Sequence, residues 1–573
     1  MNPIADRCGD LCVSLKEAES LKKAAMDYPS LNLSLRQVCD LELLLNGAFD
    51  PLEGYLNRAD YKNVLERMRL ADGRLWPMPI CLDASESLAL SLELGQSLAL
   101  RDGEGFLLAV MRMEEAWEAE TGREAEAVFG TADPSRHPGV RYLYERMGPW
   151  RLGGKVIGVG LPSHYDFNEL RLSPAKTRGL FSERGWARVI GFQTEAHLDC
   201  GHREMILRAA RQAKAGVLLQ PQAGFTQPGD VAHYTRVRSF QKFLGELPED
   251  LAVLGLIPQV SRQAGPREAL WQAMTRKNYG CTHFLVAVDQ GDPGSNGLSG
   301  ERFYPLGAAQ ELVRVHEAET GIEMLPLKRM VYFEDQAAYL PEDEAGPGQG
   351  SRPISSAELH RRLLSGQKIP AWLSSPAVVD ELRRAYPPRS QQGFTVFMTG
   401  LSGAGKSTIA NFLAAKFMEL RERPVTLLDG DIVRRNLSSE LTFTKEHRDL
   451  NIRRIGFVAR EITKNGGIAI CAPIAPYEEV RRFNRERISR HGGYIEVYVS
   501  TPLNVCEERD RKGLYAKARA GLIKGVTGID DPYEPPSAPE LTIDASRLTP
   551  KEAVFEVLRY LEKEGYLEPA TIS

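Results

Sequence analysis

Runs of apolar residues alternate with polar, turn-forming segments along the chain, and the clearest pattern begins at residue 394. Residues 394–399 form an unbroken apolar and β-branched run, which is typical of a strand buried on both faces of a sheet. Apolar residues then recur at helical spacing, at Ile409, Phe412, Leu413, Phe417 and Leu420. Further strand-like runs lie at 425–428, 467–472, 494–499 and 541–543, with helical patterns between them. This alternation predicts a parallel α/β domain over residues 390–573.

The same pattern divides the rest of the chain into three further parts. Residues 1–165 place short apolar stretches between turn residues, which predicts a β-rich domain. Residues 166–325 alternate strand-like and helical segments, which predicts a second parallel sheet that binds ligands at the carboxyl ends of its strands. Its strands are expected at 188–193, 216–219 and 282–289. Residues 326–389 contain a Gly/Pro-rich stretch, a small helical piece and a linker, so the predicted fold class is multidomain α/β.

Composition narrows the class of protein. A chain of 573 residues is too long for one core, and 43% hydrophobic with 26% charged residues is typical of a soluble globular protein. A formal net charge of −4 argues against a general nucleic-acid binder. The start of the chain lacks the apolar core of a signal peptide. The sequence also contains no run of about 18 apolar residues, the length from which a membrane span would be predicted. We therefore expect a cytoplasmic protein whose eight cysteines are free thiols.

A glycine-rich loop follows the first strand of the C-terminal domain. Residues 400–408 match G-x-x-x-x-G-K-[ST], the phosphate-binding loop, between a predicted strand and a predicted helix. Backbone N–H groups of such a loop surround phosphate oxygens, and the helix N-terminus adds a favourable field. We expect Lys406 to reach the β- and γ-phosphates and Ser407 to ligate Mg²⁺. The nucleotide-binding residues predicted here are Gly400, Leu401, Ser402, Gly403, Ala404, Gly405, Lys406, Ser407 and Thr408.

Two carboxylates and a group of arginines follow the next strand. Asp429 and Asp431 stand at its carboxyl end, where they can hold Mg²⁺-bound water or accept a substrate proton. The alternative is a turn that simply favours Asp-Gly-Asp. The arginines surround an aromatic residue and an amide, in the set Arg434, Phe443, Arg448, Asn451, Arg453 and Arg454. Such groups bind planar anions and stack on purines, which suggests a second anionic nucleotide; a solvated basic helix face is the alternative.

The C-terminal domain resembles adenylylsulfate (APS) kinase, which phosphorylates the ribose 3′-hydroxyl of APS to give PAPS. The resemblance rests on the loop at 400–408 and on further motifs: Asp429-Gly-Asp431, Arg434, Phe443, Arg448-Asp-Leu-Asn451, Lys512-Gly-Leu-Tyr515 and Gly525 to Pro536. It implies that ATP is the phosphoryl donor, that Asp431 is the catalytic base, and that Lys406 and Asp429 assist, with Mg²⁺ at Ser407 and Asp429. It also implies that APS is bound by Arg434, Phe443, Arg448, Asn451 and Lys512, the last at the start of a lid. Many members have Ser where this chain has Ala475, so no phosphoserine forms there.

Residues 1–389 resemble ATP sulfurylase, which makes APS and pyrophosphate from ATP and sulfate. The supporting stretches are 47–54, 224–230, 234–238, 265–271, 276–284 and 354–358. The resemblance implies a PUA-like domain at 1–165, a nucleotidyltransferase-like domain at 166–325 and a small helical or α/β subdomain at 326–389. The whole chain then resembles a sulfurylase–APS kinase fusion. Its expected partners are ATP, APS and further copies of itself, as a dimer or a hexamer, rather than nucleic acid or a membrane.

The sulfurylase motifs of this chain are altered. The family signature Q-T-R-N-P-x-H-x-x-H reads here Gln193, Thr194, Glu195, Ala196, His197, Leu198, Asp199, Cys200, Gly201 and His202. Glu195 thus stands where the arginine that binds sulfate is expected, and Asp199 stands where the first histidine is expected. The second signature, G-R-D-H-A-G, has lost its arginine and histidine and keeps Asp289 between them.

Charge reversal at residue 195 opposes the binding of sulfate and triphosphate. Two unit charges about 4 Å apart interact by about 4 kcal/mol at an effective dielectric of about 20, and about 1.4 kcal/mol changes a rate tenfold. We therefore predict a weak or inactive sulfurylase domain fused to an active APS kinase. The alternative is a fully bifunctional enzyme in which other arginines compensate, namely Arg236, Arg238, Arg262 and Arg267. A further alternative makes residues 1–389 an oligomerisation scaffold or a regulatory nucleotide-binding module.

Overall fold

The computed structural model describes residues 9–224, 233–296, 302–344, 351–420, 423–510 and 512–568. Three segments used above lie partly outside the described residues: the chain start, the stretch 224–230 and the Gly/Pro-rich stretch 341–353. The chain folds as two compact units, one comprising 1–361 with 369–385 and the other 362–368 with 386–573. Within the described ranges, no helix combines the length and the apolar character that crossing a membrane requires.

The N-terminal part is built on a six-stranded sheet. Its helices are α1 to α6, at Leu15–Ala24, Leu35–Leu45, Arg58–Arg67, Glu86–Ser91, Thr121–Phe129 and Pro138–Glu145. Its strands are β1 to β6, at Ser30–Asn32, Gly54–Tyr55, Leu82–Ala84, Ser97–Arg101, Leu107–Glu118 and Trp150–Gly158. The strand order is β1-β4-β5-β6-β2, and β3 also pairs with β6. Antiparallel pairing of β4, β5 and β6 accounts for the β-rich pattern of this part, although helices lie between the strands.

A parallel sheet forms the middle part. Its helices are α7 to α12, at Pro174–Glu183, Cys200–Ala213, His233–Leu244, Gly265–Asn278, Ala308–Val315 and Glu317–Thr320. Its strands are β7 to β11, at Val189–Phe192, Gly216–Leu219, Ala252–Leu254, His283–Ala287 and Glu323–Leu327. The order is β11-β10-β7-β8-β9, and every described pair is parallel. Strands β7, β8 and β9 are buried along their whole length, as the continuous apolar runs of a parallel sheet require.

A small antiparallel sheet and two helices follow. The strands are β12 to β14, at Met330–Phe333, Ala338–Pro341 and Ser351–Pro353, in the order β13-β12-β14. The helices are α13 and α14, at Ser356–Leu364 and Pro376–Ala385. The helical piece agrees with the sequence prediction. The three-stranded sheet was not predicted as such, because its strands are short and lie beside a Gly/Pro-rich stretch.

Five parallel strands form the sheet of the C-terminal unit. They are β15 to β19, at Phe394–Thr399, Val425–Asp429, Ile468–Ala472, Gly493–Val499 and Leu541–Ile543. The helices are α15 to α21, at Lys406–Leu420, Gly430–Asn436, Lys445–Lys464, Glu478–Ile488, Leu503–Arg509, Leu514–Arg519 and Pro550–Lys563. The order β16-β17-β15-β18-β19 places the strand of the phosphate loop at the centre. The carboxyl ends of β15, β16 and β17 therefore meet at one edge of the sheet, where a ligand site is expected.

Within the part of the chain that the structure describes, the cysteines follow the expectation of free thiols with one exception. Six are free and buried: Cys39, Cys81, Cys200, Cys281, Cys471 and Cys506. Cys12 is bonded in a disulfide, which corrects the expectation at that position. Burial raises the pKa of the Cys506 thiol, so this residue stays protonated beside the phosphate loop.

Helices α17 and α18 approach closely at a glycine. Gly456 on α17 is buried, and a Cβ built there would lie 2.1 Å from Oδ1 of Asn484 on α18. Asn484 is 2% exposed, and its Nδ2 donates to the carbonyl oxygen of Ile452 at 2.9 Å. The amide is therefore fixed in place, and the contact has no room for a larger residue at 456.

We expect Gly456→Ala to destabilise the C-terminal unit by about 1–3 kcal/mol, because the added methyl group must displace a buried, hydrogen-bonded amide. Scanning calorimetry of the full chain measures the change. Gly179→Ala is the control, since Gly179 is an exposed helical glycine with open space around its Cβ position. The control should gain about 0.5–1 kcal/mol. An equal gain in Gly456→Ala would contradict the close packing described here.

Candidate active sites

The phosphate loop leaves β15 through a passage that only glycine fits. Gly400 has φ +147°, and a Cβ there would lie 2.4 Å from the carbonyl oxygen of Val499. Gly403 has φ +75°, in the left-handed region, and its Cβ position lies 3.1 Å from the carbonyl oxygen of Cys506. The loop is held from outside by two hydroxyl groups. Thr501 donates to the carbonyl oxygen of Ala404 at 2.8 Å, and Tyr515 donates to that of Ser402 at 2.9 Å.

Lys406 is folded back onto the loop that carries it. Its ammonium group donates to the carbonyl oxygens of Gly400 at 2.9 Å and Leu401 at 2.7 Å. The side chain is buried, and this burial lowers the pKa of Lys406 to about 8. Lys406 thus lies where the motif predicts it, and its ammonium group is hydrogen-bonded to carbonyl oxygens of the phosphate loop itself.

The two predicted carboxylates lie directly beside the loop. Asp429 caps the N-terminus of α16, where its Oδ1 accepts from the backbone N–H of Asp431 at 3.0 Å. Its Oδ2 accepts from the Ser407 hydroxyl at 2.6 Å. Asp431 forms an ion pair with Lys512, and both side chains are half exposed. The structure therefore brings together four predicted site residues, Ser407, Asp429, Asp431 and Lys512.

Arg434 and Phe443 form a second group. The guanidinium of Arg434 lies 4.4 Å from the ring centroid of Phe443 and donates to the carbonyl oxygens of Leu441 at 3.2 Å and Thr442 at 3.3 Å. Burial, with a contribution from the nearby Arg448 guanidinium, lowers the pKa of Arg434. Phe443 is 67% exposed, so one face of its ring is accessible to a base.

Arg448 is held by a network that the sequence prediction did not assign. Its Nη1 donates to Asp531 Oδ2 at 2.7 Å and to the Thr527 hydroxyl at 3.1 Å. The same Asp531 carboxylate accepts from the Tyr477 hydroxyl at 3.0 Å. Burial and this hydrogen bond raise the pKa of Tyr477 to about 12, which keeps it a donor. Nε of Arg448 and Oδ1 of the buried Asn451 have no hydrogen-bond partner among the described residues, so both can still bind a ligand.

Tyr477, Thr527 and Asp531 are thus site residues that the sequence prediction missed. Thr527 and Asp531 lie in the segment 525–536 that carries the kinase resemblance, and that was the available signal, whereas Tyr477 lies beside Ala475, where the chain departs from the family. Their roles depend on contacts between positions 54 to 83 residues apart, which spacing along the chain does not reveal.

In the middle domain, the altered signature 193–202 follows β7. Gln193 is buried, and its Oε1 accepts from Nη2 of the buried Arg276, while its Nε2 has no acceptor among the described residues. The Thr194 hydroxyl accepts from the backbone N–H of Ala196 at 3.1 Å. Glu195 is half buried, and its charge adds to the burial that raises the pKa of Glu268 to about 7. The negative charge of Glu195 thus acts on the buried Glu268.

Asp199 has a structural role in addition to its place in the signature. It caps the N-terminus of α8, where Oδ1 accepts from the backbone N–H of His202 at 2.9 Å. The same oxygen lies 2.7 Å from Nδ1 of His202. Burial opposes protonation of that imidazole, but the Asp199 carboxylate outweighs it and raises the pKa of His202. The charge at residue 199 is consequently compensated within its own helix.

His197 occupies the position of the signature proline. Its ring stacks on His360 with centroids 5.4 Å apart, and its Nε2 lies 3.2 Å from Nδ1 of His360. Burial, followed by the influence of His360, lowers the pKa of His197 to about 4. Both imidazoles are therefore neutral at physiological pH.

Of the four arginines that could compensate for Glu195, three are engaged in the fold. Arg238 forms an ion pair with Glu381, and the buried Arg262 pairs with Asp40 at 2.6 Å. Arg267 donates to three backbone carbonyl oxygens of the N-terminal part. Arg236 keeps two buried nitrogen atoms, Nε and Nη2, without an acceptor among the described residues, whereas Arg262 keeps one, Nη1. Arg236 is the arginine best placed to bind an anion.

Asp289 lies in the turn after β10. It lines a small cleft together with Pro266, Val288, Gln290, Asp292, Arg302, Tyr304, Pro305, Leu306 and Ala309. No cluster of three or more His, Cys, Asp or Glu side chains able to hold a metal ion occurs in the described part of the chain.

Three family models match this chain in order. A PUA-like domain matches residues 1–160, ATP-sulfurylase matches 168–385, and adenylylsulphate kinase matches 392–544. A curated sulfate adenylyltransferase of Aspergillus oryzae is 46% identical over 555 residues, which cover 96% of each chain. The chain belongs to the ATP sulfurylase–APS kinase fusion family. The fusion thus contains a PUA-like domain, a sulfurylase domain and a kinase domain with a phosphate loop, and it is a phosphotransferase.

Further relatives agree on the whole-length match and differ in the activity that their names carry. A curated sulfate adenylyltransferase of Mycosarcoma maydis is 45% identical over 96% of each chain. A solved structure described as a hexameric APS kinase from Thiobacillus denitrificans is 40% identical over 98% of each chain, with a TM-score of 0.80. The names of the curated relatives favour a bifunctional enzyme over the prediction of a weak or inactive sulfurylase domain.

The pKa of Lys406 predicts how nucleotide binding depends on pH. Phosphate oxygens stabilise the ammonium form, so binding above about pH 8 must take up a proton and affinity must fall as pH rises. Calorimetry of ATP binding in buffers of different ionisation enthalpy should show uptake of about one proton near pH 9 and almost none near pH 6.5. Binding enthalpies that do not depend on the buffer near pH 9 would contradict this assignment.

Proposed function

We propose that the fusion transfers the γ-phosphoryl group of ATP to the 3′-hydroxyl of APS, giving PAPS and ADP. The observation that carries this proposal is the arrangement of Lys406, Ser407, Asp429 and Asp431 at one edge of the C-terminal sheet. A phosphate loop beside two carboxylates is what direct transfer of a phosphoryl group to a hydroxyl requires. The names of the kinase family model and of the solved relative support the choice of APS.

In this proposal Asp431 is the base that accepts the proton of the 3′-hydroxyl as its oxygen attacks the γ-phosphorus and the bond to the β-phosphate oxygen breaks. Asp431 is paired with Lys512 before substrate binds, so Lys512 must move from the carboxylate to a phosphate oxygen. Lys406 exchanges its two loop carbonyl partners for the β- and γ-phosphates in the same way. The lid that begins at Lys512 closes over both nucleotides.

Ser407 and Asp429 would hold the Mg²⁺ that accompanies ATP. Their oxygen atoms lie 2.6 Å apart, and hydroxyl and carboxylate oxygens are ligands that Mg²⁺ prefers. When bound, the ion neutralises charge on the β- and γ-phosphates.

APS would be bound by the arginine-rich group. Burial, together with the nearby Arg448 guanidinium, lowers the pKa of Arg434, and an anion bound between the two cations would relieve their repulsion. Nε of Arg448 and Oδ1 of Asn451 offer a donor and an acceptor that the described protein groups leave unused. The exposed ring of Phe443 would stack on the adenine.

The location, the metabolic role and the assembly of the enzyme are inferred from the same family. We infer a cytoplasmic enzyme that provides PAPS for sulfate assimilation and binds neither nucleic acid nor a membrane. We infer a homo-oligomer, a dimer or a hexamer, and the description of the solved relative as hexameric supports the larger assembly.

Lys406→Ala and Asp431→Asn should each lower PAPS formation by at least about a thousandfold while leaving the fold intact. The first change removes the cation that binds the transferred phosphate, and the second removes the base. A coupled assay of ADP release with ATP and APS measures the loss, and circular dichroism checks the fold. Lys416→Ala is the matched control, because Lys416 lies on the same helix and pairs with Glu419 at the surface. Near-full turnover in either site variant would mean that the roles are wrongly assigned.

A second candidate function is synthesis of APS and pyrophosphate from ATP and sulfate by the middle domain. The names of the curated relatives over the whole chain favour it. Buried N–H groups of Arg236 and Gln193 without acceptors among the described residues also suit an anionic ligand. Glu195 argues for a low rate, because an acidic side chain stands where the family signature has an arginine. If the domain is inactive, a role as scaffold or regulatory nucleotide-binding module is the remaining proposal.

Sulfate-dependent pyrophosphate release by the full chain decides between these proposals. In a Lys406→Ala background, which removes kinase turnover, Glu195→Arg should raise the rate by at least about tenfold if the acidic side chain limits it. Glu183→Arg, an exposed position on α7, is the control for the same change in net charge. A high rate in the parent that falls in Glu195→Arg would instead establish a bifunctional enzyme adapted to glutamate.

A further inference from the structure

Arg481 on α18 is a buried cation at the centre of the kinase domain. Its side chain is 1% exposed. Nη1 donates to the carbonyl oxygen of Ala475 at 2.7 Å, and Nη2 donates to that of Glu534 at 2.7 Å. Nη2 also pairs with Glu478, and Nε lies 3.2 Å from Oε1 of the buried Glu496. One planar guanidinium thus serves two backbone carbonyls and two carboxylates.

The two carbonyl groups belong to two loops that are distant in sequence. The 473–477 loop follows β17, and the 530–536 loop precedes β19. The backbone N–H of Glu534 donates to the carbonyl oxygen of Pro476 at 2.9 Å, and its Oε2 accepts from the N–H of Glu478 at 2.7 Å. Arg481 therefore joins the same two loops from the buried side. Its hydrogen bonds add to the contacts that Glu534 makes with Pro476 and Glu478.

The 473–477 loop is held in a strained conformation at this junction. Ala475 is completely buried and has φ +48°, in the left-handed region that non-glycine residues rarely adopt. Its carbonyl oxygen accepts from Arg481 and also from the Thr399 hydroxyl at 3.1 Å. Thr399 is the last residue before the phosphate loop, and it also contacts the Tyr533 hydroxyl at 2.9 Å. Strain of this kind persists where the surrounding structure fixes the backbone.

Each loop carries one member of the network around Arg448. Tyr477 comes from the 473–477 loop and Asp531 from the 530–536 loop, and they meet in the hydrogen bond of 3.0 Å. Asp531 in turn accepts from Arg448 at 2.7 Å and so sets the direction of its guanidinium. The position of Arg448 therefore depends on the distance between the two loops.

We propose that Arg481 is a positioning residue for APS: by joining the 473–477 and 530–536 loops it aligns Tyr477 and Asp531, which aim Arg448 at the anionic group of APS. This inference rests on the proposed kinase function and adds a residue that contacts neither nucleotide. It assigns to Arg481 an effect on APS and not on ATP, since its carbonyl partners lie in the loops that hold Arg448.

Arg481→Lys tests the proposal with the charge retained. An ammonium group cannot donate to both carbonyl oxygens in the planar fork of arginine, so the loop junction loosens while Glu478 and Glu496 keep a cation. We expect the KM for APS to rise by at least about tenfold and the KM for ATP to stay within about twofold. Arg485→Lys is the matched control, because Arg485 lies on the same helix and pairs with the same Glu496 but with Glu540 instead of the loops. It should leave both KM values unchanged.

A double-mutant cycle shows whether Arg481 acts through the network. Tyr477→Phe deletes only the hydroxyl that reaches Asp531 and should raise the KM for APS on its own. If both changes act through the orientation of Arg448, their combined effect is smaller than the product of the single effects. A combined effect equal to that product would overturn the proposed route.

Three results would overturn the inference. They are an unchanged KM for APS in Arg481→Lys, an equal rise in both KM values, and, if Arg481→Lys does not fold, an unchanged KM for APS in Tyr477→Phe. Calorimetry on each variant separates lost stability from altered binding, since a merely structural role lowers the amount of active enzyme and leaves the KM for APS unchanged. A parent enzyme that forms no PAPS from ATP and APS would refute the proposed function itself, and the inference would fall with it.

Discussion

A cation taken out of water needs a partner, and this requirement governs the kinase site before any nucleotide binds. The buried Lys406 turns to the carbonyl oxygens of its own loop, and even the half-exposed Lys512 pairs with Asp431. Arg448 turns to Asp531. Each partner is an oxygen that occupies part of the space around the cation where a phosphate or sulfate oxygen would otherwise lie. Substrate binding is thus an exchange of partners, and its net gain is smaller than the contacts in the complex suggest.

The kinase and sulfurylase domains differ in how they meet this requirement. In the kinase domain the basic groups converge, and burial together with the nearby Arg448 guanidinium lowers the pKa of Arg434. In the sulfurylase domain most arginines have become part of the fold, as the pairing of Arg262 with Asp40 shows. Arg236 keeps two buried nitrogen atoms without an acceptor among the described residues, and Arg262 keeps one. The two domains thus differ in how their basic groups are partnered before any ligand binds.

The sequence predicted the parts of the structure that depend on local pattern. The five strands of the kinase sheet and the four site residues at its edge follow from an apolar run, a loop motif and Asp-Gly-Asp, each read within a short window. The roles of Tyr477, Asp531 and Arg481 could not be predicted in this way, because they arise where loops far apart in sequence meet. Asp199 shows a different limit of prediction from sequence. Its departure from the signature is visible in the sequence, but its role as a helix cap depends on where α8 begins.

That cap has a consequence for any attempt to restore the family signature. Asp199 now closes the first turn of α8 and binds His202, so the helix relies on the residue that departs from the family signature. Restoring histidine at 199 would remove a carboxylate cap whose loss typically costs about 0.5–2 kcal/mol, before any gain in catalysis could offset it. The present side chain at 199 thus contributes to the stability of α8, whatever its part in the signature.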